Sequence, residues 1–208
     1  FLLAFDPALI SASITALSPM PAIFFLGLML LAFGRGRLVI AGIVTALFFL
    51  SGLSAWLALL IGLAMLLVFY LTTPKGEESP GWIARWSAVM RPRPYGISVV
   101  ASLLLIGTGF ILKPTGLSAG FADFVSFLSG WGTPIEISPV RLLVVLFAYE
   151  SLILTLGGVA YLRFRKAGAV HRLLGIGMLV SSLLVVFYPG HQLSDLAFIS
   201  LPFVLTAS

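Results

Sequence analysis

Of the twelve Lys and Arg residues in this 208-residue chain, all but Lys113 and Arg141 fall in three short polar breaks, Arg35 to Arg37, Lys75 to Arg93 and Arg163 to Arg172. The stretches between these breaks are apolar and of membrane-spanning character. Short loops rich in Lys and Arg stay on the cytoplasmic side of a membrane while the loops between them cross it. One pattern therefore bears on class, on the number of spans and on orientation.

Composition narrows the class further. With 60% hydrophobic residues, 9% charged residues and a mean hydropathy of +1.16, the chain has too few polar side chains for a water-facing surface. A membrane β-barrel would alternate apolar and polar residues in segments of about ten. Runs such as Trp56 to Tyr70 are instead apolar on every side. The fold class is therefore all-α, a polytopic helical membrane protein with about six complete transmembrane helices and truncated ends. The pI near 10.0 reflects cations that mark topology and meet anionic headgroups, so no nucleic-acid partner is assigned. The absence of cysteine excludes a disulfide, a thiolate-bound metal and a thiol nucleophile.

The spans follow from length. Asp6-Pro7 is a helix-start signal, and the stretch from Ala8 through Pro19 to Phe33 runs into the cationic turn Gly34-Arg35-Gly36-Arg37. Read as one helix, Leu38 to Thr72 would be about 52 Å long, against a hydrocarbon core of roughly 30 Å, so it must fold back as a hairpin near Ser51-Gly52-Leu53-Ser54. The segment 74–96 carries Trp82-Ile83-Ala84-Arg85-Trp86, a mixture suited to the headgroup layer. Arg91-Pro92-Arg93-Pro94 then breaks and restarts the chain. Ile97 to Leu112 crosses outward. The segment from Pro114 to Pro139 places Phe121, Phe124, Val125 and Leu128 at helical spacing around Asp123, which predicts an interfacial helix. Val140 to Leu162 crosses inward, Leu173 to Tyr188 outward, and Leu196 to Ser208 begins another inward span. Loops 34–37, 74–96 and 163–172 are then cytoplasmic, and 113–139 and 189–195 are not. Phe1 to Phe5 read as the end of a helix and Ser208 stands inside an apolar run, so residues 1–208 are expected to form a single transmembrane domain of a longer chain.

Few side chains remain that can do chemistry. Glu150 stands near the centre of a span, where an ionisable group costs a few kcal/mol unless it faces protein or a water-filled cavity. It reads equally well as a substrate or proton-relay contact and as a bond between neighbouring helices. His191 and Asp195 suit an acid/base or hydroxyl-binding pair. The plainer reading has Ser194 or Asp195 capping the helix that begins at Leu196, with His191 in a solvated turn. Lys113 and Arg141, the non-cytoplasmic cations, suit phosphate contacts or snorkelling. Asp123 and Glu136 suit sugar or metal binding, although surface acids are usually just solvated. Gly27, Gly36, Gly42, Gly62, Gly157, Gly158, Gly175 and Gly177 read as close helix-packing sites. No GxxxxGK[ST] or HExxH motif is present, which disfavours nucleotide hydrolysis and zinc proteolysis within these residues.

Several stretches together resemble the middle of membrane glycosyltransferases of the GT-C superfamily, in its protein mannosyltransferase-like family 39 branch. They are Asp6-Pro7-Ala8-Leu9-Ile10-Ser11-Ala12-Ser13, then Ser18-Pro19-Met20-Pro21-Ala22-Ile23-Phe24-Phe25-Leu26, the Gly-Arg-Gly-Arg turn, and Leu38-Val39-Ile40-Ala41-Gly42-Ile43. Further along are Tyr149-Glu150, Tyr188-Pro189-Gly190-His191-Gln192, Asp195-Leu196 and Leu201-Pro202. The resemblance implies transfer of a sugar from a polyprenyl-phosphate donor at the non-cytoplasmic face, by an inverting mechanism with a catalytic carboxylate and often a divalent metal. In that family the carboxylate stands in the first outer loop, which has no counterpart in these residues, so no catalytic residue is carried over and no metal ligand is named. What carries over is a substrate-binding set, Lys113, Arg141, Glu150, His191 and Asp195, with membrane lipid and a polyprenyl-phosphate sugar as partners. A non-catalytic accessory subunit of a larger membrane complex, bound to other membrane subunits, is the alternative. A transporter using Glu150 as its coupling residue is a third reading, without inverted repeats to support it.

Overall fold

The computed structural model describes residues 19–73, 92–109, 115–134, 138–164, 168–190 and 192–207. The described residues are helical and contain no strand. Expectations that fall on Asp6-Pro7, Trp82 to Trp86, Arg91, Lys113, Glu136 and His191 lie outside them.

Helix α1 (Pro19–Gly34) ends where the sequence supplies a glycine. Gly36 takes φ +67°, its N–H donates to the Phe33 carbonyl, and the Arg37 N–H donates to the Ala32 carbonyl. Those two bonds around a left-handed glycine are a Schellman stop, and α2 (Leu38–Phe49) returns directly. Leu50, Ser51 and Gly52 then turn the chain into α3 (Leu53–Thr72), so the hairpin required by the length of this stretch is present. Helix α4 (Pro92–Gly107) begins five residues before the expected Ile97 and ends before Leu112. Pro92 and Pro94 occupy its first turn, where a missing N–H costs nothing, so they start the helix rather than precede it. The segment expected to be interfacial forms α5 (Thr115–Gly130), followed by α6 (Pro139–Phe164), α7 (Ala169–Phe187), a single 3-10 turn (Leu193–Asp195) and α8 (Leu196–Ala207), which carries Pro202 inside it.

The expectation of six complete spans is corrected. Three helices are long and apolar enough to cross a membrane, at Leu53–Thr72, Pro139–Arg163 and Ala169–Phe187. The apolar helices Pro19–Gly34, Leu38–Phe49, Arg93–Gly107 and Leu196–Ala207 are shorter. At 1.5 Å per residue, twelve to sixteen residues give about 18–24 Å, less than the roughly 30 Å hydrocarbon core.

Packing follows the order of the chain. α2 lies between α1 and α4, α6 lies along α8, and α7 packs on both α3 and α8. Helix α5 bridges α3 and α4. Glycines make three of these seams close. A Cβ at Gly42 would meet the Ser98 hydroxyl and stand 2.9 Å from the Tyr95 carbonyl oxygen, one at Gly157 would stand 2.6 Å from the Phe203 carbonyl oxygen, and one at Gly175 would enter the Tyr161 ring. Gly177 faces Met65 and Pro202 in the same way. By contrast, Gly27, Gly36, Gly62 and Gly158 have nothing within 4 Å of such a Cβ and are not packing sites among the described residues.

The helix ends fall into two groups. At one end, the ring of Phe33 at the close of α1 meets Tyr95 at the start of α4, and Arg172 at the start of α7 meets Phe69 and Thr73 at the close of α3. At the other end, Ser54 meets Asp195, Trp56 meets Phe124, and Tyr188 meets Phe127. Between these ends the outer faces are apolar. Val144, Phe147, Leu152, Leu156 and Val159 of α6 are exposed, as are Leu63, Leu66, Leu67 and Leu71 of α3. An apolar surface of this extent is suited to hydrocarbon rather than water.

Candidate functional site

The polar residues collect at the end that holds the α2–α3 turn. Gly52 takes φ +97° there, a conformation that glycine adopts at little cost, and Ser51 donates its hydroxyl to the Phe48 carbonyl. The turn directs Ser54, in the first turn of α3, toward the start of α8. Ser54 Oγ donates across 3.5 Å to Oδ1 of Asp195, and Oδ2 of the same carboxylate accepts the Gln192 N–H at 2.8 Å.

Asp195 is only 2% exposed. Taking the 3-10 turn as the first turn of α8, Gln192 occupies the cap position and Asp195 stands three residues inside, reaching back to the cap N–H as the acid of a capping box does. Asp195 also stands immediately before α8 (Leu196–Ala207), the cap position expected for it from the sequence. The same carboxylate lies at the N-terminus of α3, whose peptide dipoles leave partial positive charge there. Two helix starts thus converge on one acid and offset the cost of burying it.

Tyr188, at the close of α7, anchors the far wall. Its hydroxyl donates to the Phe127 carbonyl at 2.9 Å, and its ring lies 5.3 Å from that of Phe127 and 5.1 Å from that of Trp131. Gly130 and Gly190 leave room for it, since a Cβ at Gly190 would stand 2.9 Å from the phenol oxygen. Burial, and then the nearby charge of Asp195, push the phenol above its ordinary value of 10.0. The bond to Phe127 ties α5 to the α7–α8 connection and fixes where α5 presents its polar face.

That face carries Asp123, half-buried, on the wall of a cavity of about 600 Å³. Ser51, Ser54 and Gln192 line it with Asp123, and Phe25 and Leu50 supply apolar wall. Phe121, Val125 and Leu128 of α5 are exposed, whereas Phe124 and Phe127 pack on Trp56 and Tyr188 on the side of the helix that faces the bundle. Beside this cavity lies a second, of about 380 Å³, walled by Phe49, Trp56, Leu103, Leu104, Leu117 and Phe121. Leu50 lines both. Trp56 is held between Phe49, at a centroid distance of 5.2 Å, and Phe124, at 4.5 Å. Volumes of this size are typical of small-molecule sites.

The residues expected to bind substrate divide accordingly. Asp195 supports the cavity from behind Ser54 and Gln192. Glu150 is 1% exposed and lies elsewhere, on the α6 stripe Leu142, Leu146, Glu150, Ile153 and Gly157, the stripe that meets α8 where Gly157 abuts Phe203. Arg141 is exposed in the first turn of α6, where its N–H donates to Ser138 Oγ at 3.2 Å, and it does not line either cavity. Lys113 and His191 lie outside the described residues. Ser51, Ser54 and Gln192 were not singled out from the sequence as a site. The available signal was a serine–glycine–serine turn at the end of a hairpin, which reads equally well as a turn alone.

At the opposite end, Arg172 donates from Nη2 to Thr73 Oγ1 at 3.1 Å and stacks 4.8 Å above the Phe69 ring. This cation–π contact joins α3 to α7. Among the described residues no three His, Asp or Glu side chains converge, so these residues do not fit a divalent-metal site. No protein-family model, curated protein or solved structure matches the chain.

Proposed function

We propose that this chain is the membrane part of a glycosyltransferase-like enzyme that moves a sugar from a polyprenyl-phosphate donor to a hydroxyl acceptor in the outer cavity. The observation that carries the reading is the convergence of Asp123, Ser51, Ser54 and Gln192 on one cavity of about 600 Å³ in an otherwise apolar bundle. Hydroxyl and amide groups suit the hydroxyls of a sugar. A carboxylate among them suits a general base. In the proposed step Asp123 takes the proton of the acceptor hydroxyl as its oxygen bonds to the anomeric carbon, and the bond from that carbon to the phosphate oxygen breaks, releasing polyprenyl phosphate with inversion. Arg141 and Lys113 are the proposed contacts for the leaving phosphate.

The cavity end is the non-cytoplasmic one in this reading, because Arg35, Arg37, Arg93, Arg163 and Arg172 all belong to the opposite end of the bundle. The shorter helices complete the crossings by thinning the bilayer around them. A Ser118→Cys variant then labels only from outside the cell and a Ser87→Cys variant only from the cytoplasm.

The test is transfer from a radiolabelled polyprenyl-phosphate sugar by the full protein in nanodiscs. Wild type releases polyprenyl phosphate, and Asp123→Asn loses transfer by about a hundredfold or more, the usual contribution of a general base. Full activity in Asp123→Asn, or no transfer by wild type, overturns the proposal. The alternative, a non-catalytic accessory subunit, is favoured by one observation, the continuous exposed apolar face of α6 from Val140 to Leu162. Absent transfer together with a stoichiometric membrane partner lost on Phe147→Ser would select it.

A further inference from the structure

We infer that the two cavities are one site for a single amphiphile whose headgroup is hydroxylated and carries no negative charge, seated in the outer cavity with its hydrocarbon chain in the apolar slot. The inference rests on the transferase reading and deepens it, because it assigns the cavity to the hydroxyl-bearing acceptor rather than to the donor phosphate.

The first ground is continuity. Leu50 is the wall common to both spaces, and its Cδ2 stands at the crossing of α4 and α5, 3.5 Å from where a Cβ at Gly107 would lie and 3.7 Å from one at Gly120. Two glycines facing one leucine leave that side chain room to change rotamer. An exposed or half-exposed leucine does so on a picosecond-to-nanosecond scale, so the partition between the chambers is a side chain and not backbone.

Charge supplies the second ground. In the outer cavity Asp123 is the only charged side chain lining the wall among the described residues. The helix start that would ordinarily attract an anion there, that of α3, already faces the Asp195 carboxylate through Ser54. A phosphate in this space would meet one carboxylate directly and a second behind the serine. Like charges held this close in a partly desolvated space repel one another. A headgroup that donates hydrogen bonds meets acceptors instead, in Asp123, the Ser51 and Ser54 hydroxyls and the Gln192 amide oxygen.

The third ground is the slot itself, whose walls of Phe49, Leu103, Leu104, Leu117 and Phe121 offer a chain nothing but apolar surface. Trp56 is the one lining side chain with a polar atom, and that indole N–H is buried away from the space. Hydrocarbon fits these walls, and a polar group has no partner there.

Trp56 also reports occupancy. The full protein is placed in phosphatidylcholine nanodiscs and titrated with a glucosyl monoglyceride brominated along its chain, or with an alkyl phosphate brominated identically. Bromine within contact of Trp56 quenches its fluorescence, and Trp56→Phe gives the background from the other tryptophans. Saturable, Trp56-dependent quenching by the glucoside, with at least tenfold weaker quenching by the phosphate, is the expected result. Asp123→Asn should weaken the glucoside about tenfold and narrow the preference over phosphate. Gly120→Leu fills the slot and should abolish the quenching. Gly120→Ala, whose Cβ makes ordinary 3.7 Å contact with Leu50, keeps the fold and should weaken it a few-fold. Equal or stronger quenching by the alkyl phosphate overturns the charge assignment. Quenching that never saturates, or that ignores both Gly120 variants, overturns the site. Saturable binding without sugar transfer refutes the transferase reading and leaves this one standing, whereas transfer without saturable quenching does the reverse.

Discussion

The adjacent glycines Gly157 and Gly158 should respond in opposite directions to the same substitution. Both lie in α6, so replacement by alanine brings each the same gain in helix propensity, about 0.5–1 kcal/mol. Their surroundings differ completely. A Cβ at Gly158 has nothing within 4 Å, whereas one at Gly157 would stand 2.6 Å from the Phe203 carbonyl oxygen and 2.9 Å from the Phe203 Cα. Those are backbone atoms of α8, so no side chain can rotate out of the way and the helices must separate. Overpacking of this kind costs typically 1–3 kcal/mol. Because the propensity gain is common to the pair, the difference between the two variants isolates the collision at about 1–3 kcal/mol, close to a tenfold change in the folding equilibrium for each 1.4 kcal/mol. Gly158→Ala should be stabilised by up to about 1 kcal/mol. Equilibrium unfolding in mixed micelles, followed by loss of helicity, measures both. Between lipid-facing helices there is little hydrophobic drive, so close backbone approach carries much of the association. If Gly157→Ala proves as stable as Gly158→Ala, the α6–α8 seam is not packed as described, and the burial of Glu150 in that seam is wrong with it.

Two further outcomes test the site's supports. Tyr188→Phe removes the hydroxyl that ties α5 to the α7–α8 connection and should cost about 1 kcal/mol at neutral pH. The folded phenol titrates above its unfolded value of 10.0, so its contribution is complete below that pH and is lost as the pH rises through the folded value. Wild type should therefore lose stability in alkaline unfolding curves where Tyr188→Phe does not, and parallel curves would refute the assignment. Asp195→Ala removes the acceptor of the Gln192 N–H and should lower stability by about 1–3 kcal/mol. Asp195→Asn keeps an acceptor oxygen and should lose less, a ranking that thermal unfolding in detergent checks directly.

How much of this could be read from the chain depends on the range of the interaction involved. The α2–α3 hairpin was legible because a thirty-five-residue apolar run outreaches a bilayer of about 30 Å, and only Ser51 and Gly52 offered a turn. The Gly34–Arg37 turn was legible from its cations, but Gly36 was read as a packing site and is instead the left-handed residue of the stop. The start of α4 was misplaced because Pro92 and Pro94 were weighed as breakers, although a first turn has no use for their N–H groups. On α5 the spacing of Phe121, Val125 and Leu128 was a sound helix signal, but it could not reveal that these residues face outward while Asp123 faces the cavity. The glycines show the same limit. Gly157 and Gly158 are neighbours in sequence, and only the position of α8 makes one of them a contact. The cavity was the least legible feature of all, because it joins the α2–α3 turn, Asp123 and Gln192, which no local pattern relates. Ser54 and Asp195 are 141 residues apart.

The distribution of charge and the position of the cavity constrain each other. Arg35, Arg37, Arg93, Arg163 and Arg172 belong to the end where α1 closes and α7 begins, and Asp123 and Asp195 belong to the end where α3 begins. Placing the cavity in the cytoplasm would require that whole set of arginines to be carried across the bilayer, and Lys and Arg are the residues whose translocation is resisted. Arg141, exposed at the cavity end, is the single described cation that crosses in the orientation proposed here. An acceptor site on the far side from the cytoplasm must be reached by molecules already across the membrane or dissolved within it. An apolar slot beside the proposed hydroxyl-binding cavity is suited to the second route, since a lipid can enter it by diffusion in the plane of the membrane without leaving hydrocarbon.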